Sequence, residues 1–129
     1  MVFRILILAW RKHGMAPEEF KNHYDNVHVP LVRELTGPLF PLSHRRSYIK
    51  RSQHQNGTYP AAVIQGNQED FGFDCVAELA YEDEAHFQAS GAALSTPEAG
   101  KRIYEDCVQF MDMSKAQIVV LGDVEEAMK

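Results

Sequence analysis

Apolar residues fill most positions from Val2 to Trp10, in the run VFRILILAW, and Lys12-His13-Gly14 ends the run. Its β-branched density over residues 2–11 predicts a first strand buried on both faces. After Gly14 the period changes. Pro17, followed by Glu18 and Glu19, marks a helix start, because proline lacks the donor that would be orphaned there and the acids suit the positive end of the dipole. Phe20, His23, Tyr24, Val27, His28, Leu31, Val32 and Leu35 then recur at helical spacing, so all eight are expected on one face. Pro30 interrupts that stripe, and a kink or break is expected beside His28.

The period falls to two over Leu42–Arg51, LSHRRSYIKR. This predicts a second strand with His44, Arg46, Tyr48 and Lys50 on one face. Ser52 to about Asp70 is rich in Gln, Asn and Gly, a loop long enough to be functional and a candidate lid. Phe71–Tyr81, FGFDCVAELAY, predicts a third strand that separates Phe71, Phe73, Cys75, Ala77 and Leu79 from Asp74, Val76 and Glu78. Asp83 caps a short helix through Phe87. Ser95-Thr96-Pro97-Glu98 opens a longer one with a stripe of Ile103, Cys107, Phe110 and Met111. Gln117–Leu121 is the last strand, closed by Gly122. The order is β, α, β, β, α, β with an extra helix, which predicts an α+β fold with a four-stranded antiparallel sheet. Helices cover one face of that sheet, and the apolar density of the first and last strands predicts a second copy of the chain on the other.

Composition narrows the chemistry. The chain has 129 residues, 45% apolar and 24% charged, which suits one soluble globular domain spanning 1–129. Its net charge of −5 gives no general attraction to nucleic acid or anionic lipid. Cys75 and Cys107 lie far apart without a CxxC pattern and read as buried free thiols in a reducing, cytoplasmic setting. The N-terminal apolar run is too short for a secretory leader, and no segment is long enough to span a membrane. Asn56-Gly57-Thr58 reads as a turn.

His28 leads the candidate residues, since a ring within a buried stripe must either find a partner or face a pocket. His23, at the edge of the stripe, reads as structural. Tyr24 precedes His28 by one turn and can aim its hydroxyl into the same space. His44, Arg46 and Tyr48 form an unusual polar set on one strand face; if that face meets the helices, they line a cavity. Asp74 is placed to orient a histidine, Glu78 is a weaker carboxylate candidate, and Trp10 offers an aromatic wall. GxGxxG, P-loop, GxSxG and HExxH patterns are all missing from the sequence. The six histidines include no i, i+4 pair, so neither a cofactor nor a metal is expected.

The blocks Trp10–Gly14, Pro17-Glu18-Glu19-Phe20, Tyr24 and His28-Val29-Pro30-Leu31-Val32 together resemble the opening of the EthD-domain family of dimeric α/β barrels. Leu42–Ile49, Phe73-Asp74 to Glu78-Leu79, and Tyr81–Ala85 to Phe87-Gln88 resemble its fungal secondary-metabolism branch. The likeness covers nearly the whole chain apart from residues 52–60 and the acidic tail. Ala16, where the family often carries a hydroxyl residue, departs from the pattern and bears only on capping. The resemblance implies a ferredoxin-like domain that dimerises through its sheets, with a pocket between sheet and helices. It also implies cofactor-independent enzymes acting on aromatic polyketides: decarboxylases, dehydratases or cyclases. The leading expectation is a lyase that releases CO2 from a polycyclic β-keto or ortho-hydroxyaryl carboxylic acid, whose own carbonyl accepts the electrons. Within it, His28 transfers the proton, His44 and Tyr48 donate to the enolate, Asp74 orients, Arg46 anchors a carboxylate, and Trp10, Phe20 and Tyr24 form walls. Two rivals stand beside it: dehydration or aldol-type ring closure by the same groups, and a non-catalytic pocket protein. A haem-binding role for His28 or His44, as in other members of the superfamily, ranks last.

Overall fold

The computed structural model describes residues 1–53 and 56–129; part of the candidate lid, residues 54 and 55, lies outside the described residues. Four strands form one antiparallel sheet: β1 (Phe3–Ala9), β2 (Ser43–Tyr48), β3 (Cys75–Tyr81) and β4 (Gln117–Leu121), in the order β2-β3-β1-β4. The predicted α+β architecture is the one observed. The first three strands are shorter than the runs that signal them, and the fourth spans the expected residues. At the third, Phe71 and Phe73 precede the ladder, and the backbone turns through a short 3₁₀ segment at Gln68–Phe71.

Period-two alternation fixes which side chains meet the helices. Ile5, Ile7 and Ala9 of β1 and Cys75, Ala77 and Leu79 of β3 point to the helical side, where they pack with Phe20, Tyr24 and Phe110. His44 pairs with Leu79, Arg46 with Ala77 and Tyr48 with Cys75, so these three polar side chains share the helix-covered face. On the opposite face Leu6 lies across from Glu78 and Val119, and Leu8 from Val76. Among the described residues no element packs over that face.

The first helical stretch starts at Pro17 as expected. Ala16 has no side-chain oxygen to cap it, and the Glu19 carboxylate accepts from the Ala16 N–H at 3.0 Å instead. Pro30 does not break the helix. The chain runs α1 (Pro17–His23), a π-helical turn (Tyr24–His28) and α2 (Val29–Thr36), with the Val29 N–H bonded back to the Tyr24 carbonyl five residues earlier. One extra residue in the turn rotates everything after it. The buried positions become Phe20, Tyr24, His28, Val29, Val32 and Thr36, while Val27 of the expected stripe is 45% exposed. Leu31 and Leu35 are only half-buried.

Two more helices cover the sheet. Asp83 caps α3 (Glu84–Leu94), accepting from the His86 N–H at 2.8 Å, and this helix runs well past the expected Phe87. Thr96 caps α4 (Pro97–Phe110), whose Cys107 and Phe110 reach the core as its stripe predicts.

Candidate active site

Where the π turn, β2 and α4 meet, titratable groups gather around the ring of Tyr24. Tyr24 is 2% exposed, and its ring lies edge-on to His28, His44 and Tyr48 at centroid distances of 5.6, 6.0 and 6.3 Å. Phe20 and Phe110 close the underside. The Arg46 guanidinium stands 5.7 Å over the Tyr24 ring. Six of the eight sequence candidates, His28, His44, Tyr48, Phe20, Tyr24 and Arg46, are thus brought together.

The other two serve other contacts, although Asp74 borders a cleft with Phe20 and Tyr48. Asp74, expected to orient a histidine, is 6% exposed and accepts instead from the Arg11 backbone N–H at 2.8 Å and from Arg51 Nε at 2.9 Å. It stands just before the first residue of β3, where two arginines out-compete any imidazole. Trp10 packs edge-to-face on Phe73 and, among the described residues, makes no ring contact with a histidine.

The orienting carboxylate is Asp106. Its Oδ2 lies 2.8 Å from His28 Nδ1, and its Oδ1 lies 2.8 Å from His23 Nε2. In a regular α-helix two residues five apart project about 140° apart, too divergent for one acceptor. The π turn brings them to the same side, and such bulges recur at functional sites for this kind of reason. His23, expected to be structural, is therefore tied to the same carboxylate. Because a carboxylate only accepts, His28 Nδ1 carries the hydrogen and Nε2 holds a lone pair. Burial is the largest influence on this ring and holds it below the usual histidine range, against the pull of Asp106. Among the described residues no hydrogen-bond partner occupies His28 Nε2.

Asp25 organises the other side. Its Oδ1 accepts from Arg46 Nε at 2.8 Å and from the Tyr48 hydroxyl at 2.5 Å, and its Oδ2 accepts from Lys21 Nζ at 2.8 Å. Burial alone would raise this carboxyl, but the three donors outweigh it and hold it below the usual range. Tyr48 thus spends its proton on Asp25 and has none left for an enolate, which corrects its expected role. Arg46 also donates from Nη1 to His44 Nδ1 at 2.9 Å, so the remaining hydrogen of His44 sits on Nε2. Burial and the Arg46 charge together push His44 down to about 4. Burial likewise raises Tyr24, keeping its phenol protonated, and its hydroxyl has no partner among the described residues.

These shifts predict a pH dependence of stability. In the unfolded chain His44 takes up a proton near pH 6.5, and in the native protein only near pH 4. Between those values the unfolded state binds more protons, so this contribution is full above about pH 6.5 and is lost as pH falls toward 4. Urea unfolding at steps from pH 7 to 4 is expected to show a shallower decline for His44→Gln than for the wild type. Parallel curves would refute it.

Space around the cluster is divided. Tyr24 occupies the centre, and in place of one hollow the described residues leave three clefts, of which one of 460 Å³ opens between Tyr48, Ala61 and Phe71. Another, of 230 Å³, is bordered by Arg33, Phe40, His44 and Arg46, and the third, of 140 Å³, by Phe20, Lys21 and Tyr48. A larger cleft of 740 Å³ lies between the chain termini, bordered by Arg4, Asp83 and Glu125, and has no histidine. Cys75 and Cys107 are buried and unpaired, their thiols pushed up by burial to about 12 and about 11. Among the described residues no group of three histidine, cysteine or acidic side chains is placed to hold a metal, and no helix is long and apolar enough to cross a membrane.

Sequence reasoning missed Asp25, Asp106 and Arg33. Asp106 was findable, since Ile103, Asp106, Cys107 and Phe110 follow i, i+3, i+4, i+7 and place a carboxylate on a buried stripe. Asp25 follows Lys21 at i+4, a spacing that reads as a solvated pair.

A sheet in the order β2-β3-β1-β4, with helices on one face and a polar cluster between them, defines an α+β domain of the ferredoxin-like type. Residues 12–114 match the model of the EthD domain, and the chain belongs to that family. Solved structures agree on the fold. An EthD family protein from Bacillus halodurans superposes with a TM-score of 0.58 at 18% identity, covering 96% of this chain and 100% of its own. A protein from Arabidopsis thaliana gives 0.59 at 13%, covering 98% and 99%. An EthD-like protein from Ralstonia eutropha gives 0.54 at 11%, covering 93% and 87%. No curated protein matches the chain in sequence.

Proposed function

We propose that the protein is a cofactor-independent lyase of secondary metabolism that decarboxylates an aromatic polyketide acid carrying a hydroxyl ortho to its carboxylate. The observation that carries this reading is His28: Asp106 holds its Nδ1–H, its Nε2 has no partner among the described residues, and the ring of Tyr24 stands edge-on both to it and to the neutral donor His44. Losing CO2 from such an acid needs a proton on the ring carbon that bears the carboxylate. His28 Nε2 takes the ortho-hydroxyl proton and returns it to that carbon, turning the phenol into a ketone β to the carboxylate. The carbon–carboxylate bond then breaks, its electron pair moves onto the ketone oxygen, and aromaticity returns as a phenolate. His44 Nε2–H and the Tyr24 hydroxyl stabilise that oxygen, and a proton from water completes the phenol. No redox or electron-sink cofactor enters, because the substrate's own carbonyl accepts the pair.

Unpaired buried thiols suit a reducing, cytoplasmic setting. The open sheet face, with Leu6, Leu8, Val76 and Val119, suits a second copy of the chain. Purified protein incubated with a panel of polycyclic ortho-hydroxyaryl acids is expected to release CO2 in equal amount to a product lighter by that loss. The same preparation, sized by light scattering, is expected at twice the 14.7 kDa chain mass. Loss of water instead of CO2 would favour the dehydratase or cyclase chemistry, and binding without turnover would leave only a carrier.

A further inference from the structure

The 230 Å³ cleft between α2 and the start of β2 has a composition that the proposed reaction does not fully use. It is bordered by two guanidiniums and an imidazole, from Arg33, Arg46 and His44, and by no acidic side chain. This is a local reversal in a chain of net charge −5. Arg33 pairs with no carboxylate among the described residues. Its guanidinium lies 4.1 Å over the ring of Phe40, and that ring is nearly parallel to His44, at 19° and 6.4 Å. Phe40 thus braces the Arg33 guanidinium, which reduces the conformational entropy that this side chain loses when it meets a ligand. Arg46 spends Nε on Asp25 and Nη1 on His44, and His44 Nε2–H is unspent among the described residues. Free donors and the charge of Arg33, which meets no carboxylate among the described residues, fit a bound anion. At 230 Å³ the cleft is below the roughly 300 Å³ at which small-molecule pockets begin, so it takes one end of a ligand.

Which anion follows from the energetics of the reaction. A guanidinium on the carboxylate that departs as CO2 would stabilise the reactant more than the transition state, in which that charge is leaving. The same guanidinium beside an oxygen that keeps or gains charge acts in the favourable direction. We propose that this cleft is an oxyanion subsite for an aromatic acid, taking an ionised oxygen that stays on the ring, with Arg33 as the residue that selects for charge. The proposal rests on the reading that the protein acts on aromatic acids, and it moves Arg46 from anchoring the departing carboxylate to holding the retained anion.

Two probes separate the sources of such an oxygen, salicylate for a carboxylate and 4-nitrophenolate for an ionised phenol, with benzamide as the neutral control. Binding is followed by NMR of the His44 ring. 4-Nitrophenolate is expected to bind wild type and move the His44 signals, and binding of salicylate alone would return the cleft to a carboxylate anchor and overturn the proposal. Arg33→Gln, an exposed change, should weaken 4-nitrophenolate by about tenfold, the scale of one charge-assisted hydrogen bond, and leave benzamide unaltered. Arg33→Lys should fall between. Equal anion affinity in Arg33→Gln, or His44 signals that do not move, overturns the subsite. The two proposals fail separately: CO2 release without Arg33-dependent binding removes only the subsite, and Arg33-dependent binding without CO2 release from any acid removes only the reaction.

Discussion

His28→Ala is expected to slow CO2 release by roughly a hundredfold to ten-thousandfold, the range of a lost general acid–base group. The fold should survive, because the ring stands at the border of the core and its exchange leaves Phe20, Tyr24 and Phe110 packed against one another. Asp106→Asn is the sharper variant. The carboxylate accepts from two rings at once, whereas an amide offers one acceptor oxygen and one donor nitrogen. One histidine must then turn acceptor toward residue 106. If that ring is His28, its hydrogen moves to Nε2 and the base is lost, although every atom stays close to its place. The expected result is a large fall in kcat with ligand affinity retained, and an altered acid limb in the pH profile. In wild type that limb should lie below the usual histidine value near 6.5, since burial holds His28 in its basic form. Wild-type turnover in His28→Ala would end the catalytic reading.

The largest effect on stability is expected at Arg51. Its side chain is 9% exposed and faces Asp74, 6% exposed, at 2.9 Å. It also donates to the carbonyls of Tyr59, Phe71 and Phe73 at 3.0, 2.8 and 2.9 Å, which ties the segment before β3 to the end of β2. Arg51→Ala leaves a buried carboxylate with Arg11 Nη1 at 3.6 Å as its nearest charge and removes the donor to these three carbonyls. Breaking one side of a buried pair costs about 3–5 kcal/mol, so the melting temperature should fall by on the order of 10 °C. Removing both charges, as in Arg51→Met with Asp74→Leu, should recover part of that loss because no unpaired ion remains. A melting temperature within about 1 °C of wild type for Arg51→Ala would refute the assignment.

Arg51 also shows why Asp74 was misplaced in sequence reasoning. A carboxylate at a strand start announces that it needs a partner, but not which one. Two arginines reach it from chain positions 63 and 23 residues away, and no local pattern encodes that distance.

Local rules carried the reading where the cause was local. Pro17 with two following acids set the helix start, alternation placed His44, Arg46 and Tyr48 on one face, and Thr96 and Asp83 capped the helices that they precede. Those outcomes depend on a few consecutive residues and on periods of two or 3.6, so the sequence by itself determined the strands, the helices and the α+β class. The tertiary structure alone decided how Pro30 is accommodated. A π turn, in place of a break, shifted the buried stripe and turned His23 and His28 toward a carboxylate on another helix, 83 and 78 positions away. It also decided that Asp25 gathers Lys21, Arg46 and Tyr48, and that Arg33 is left with an aromatic ring and, among the described residues, no counter-ion. Each of these turns on which groups meet across the fold, where burial makes an unpaired charge costly and so dictates the partners, and a single chain's periodicity holds no record of that.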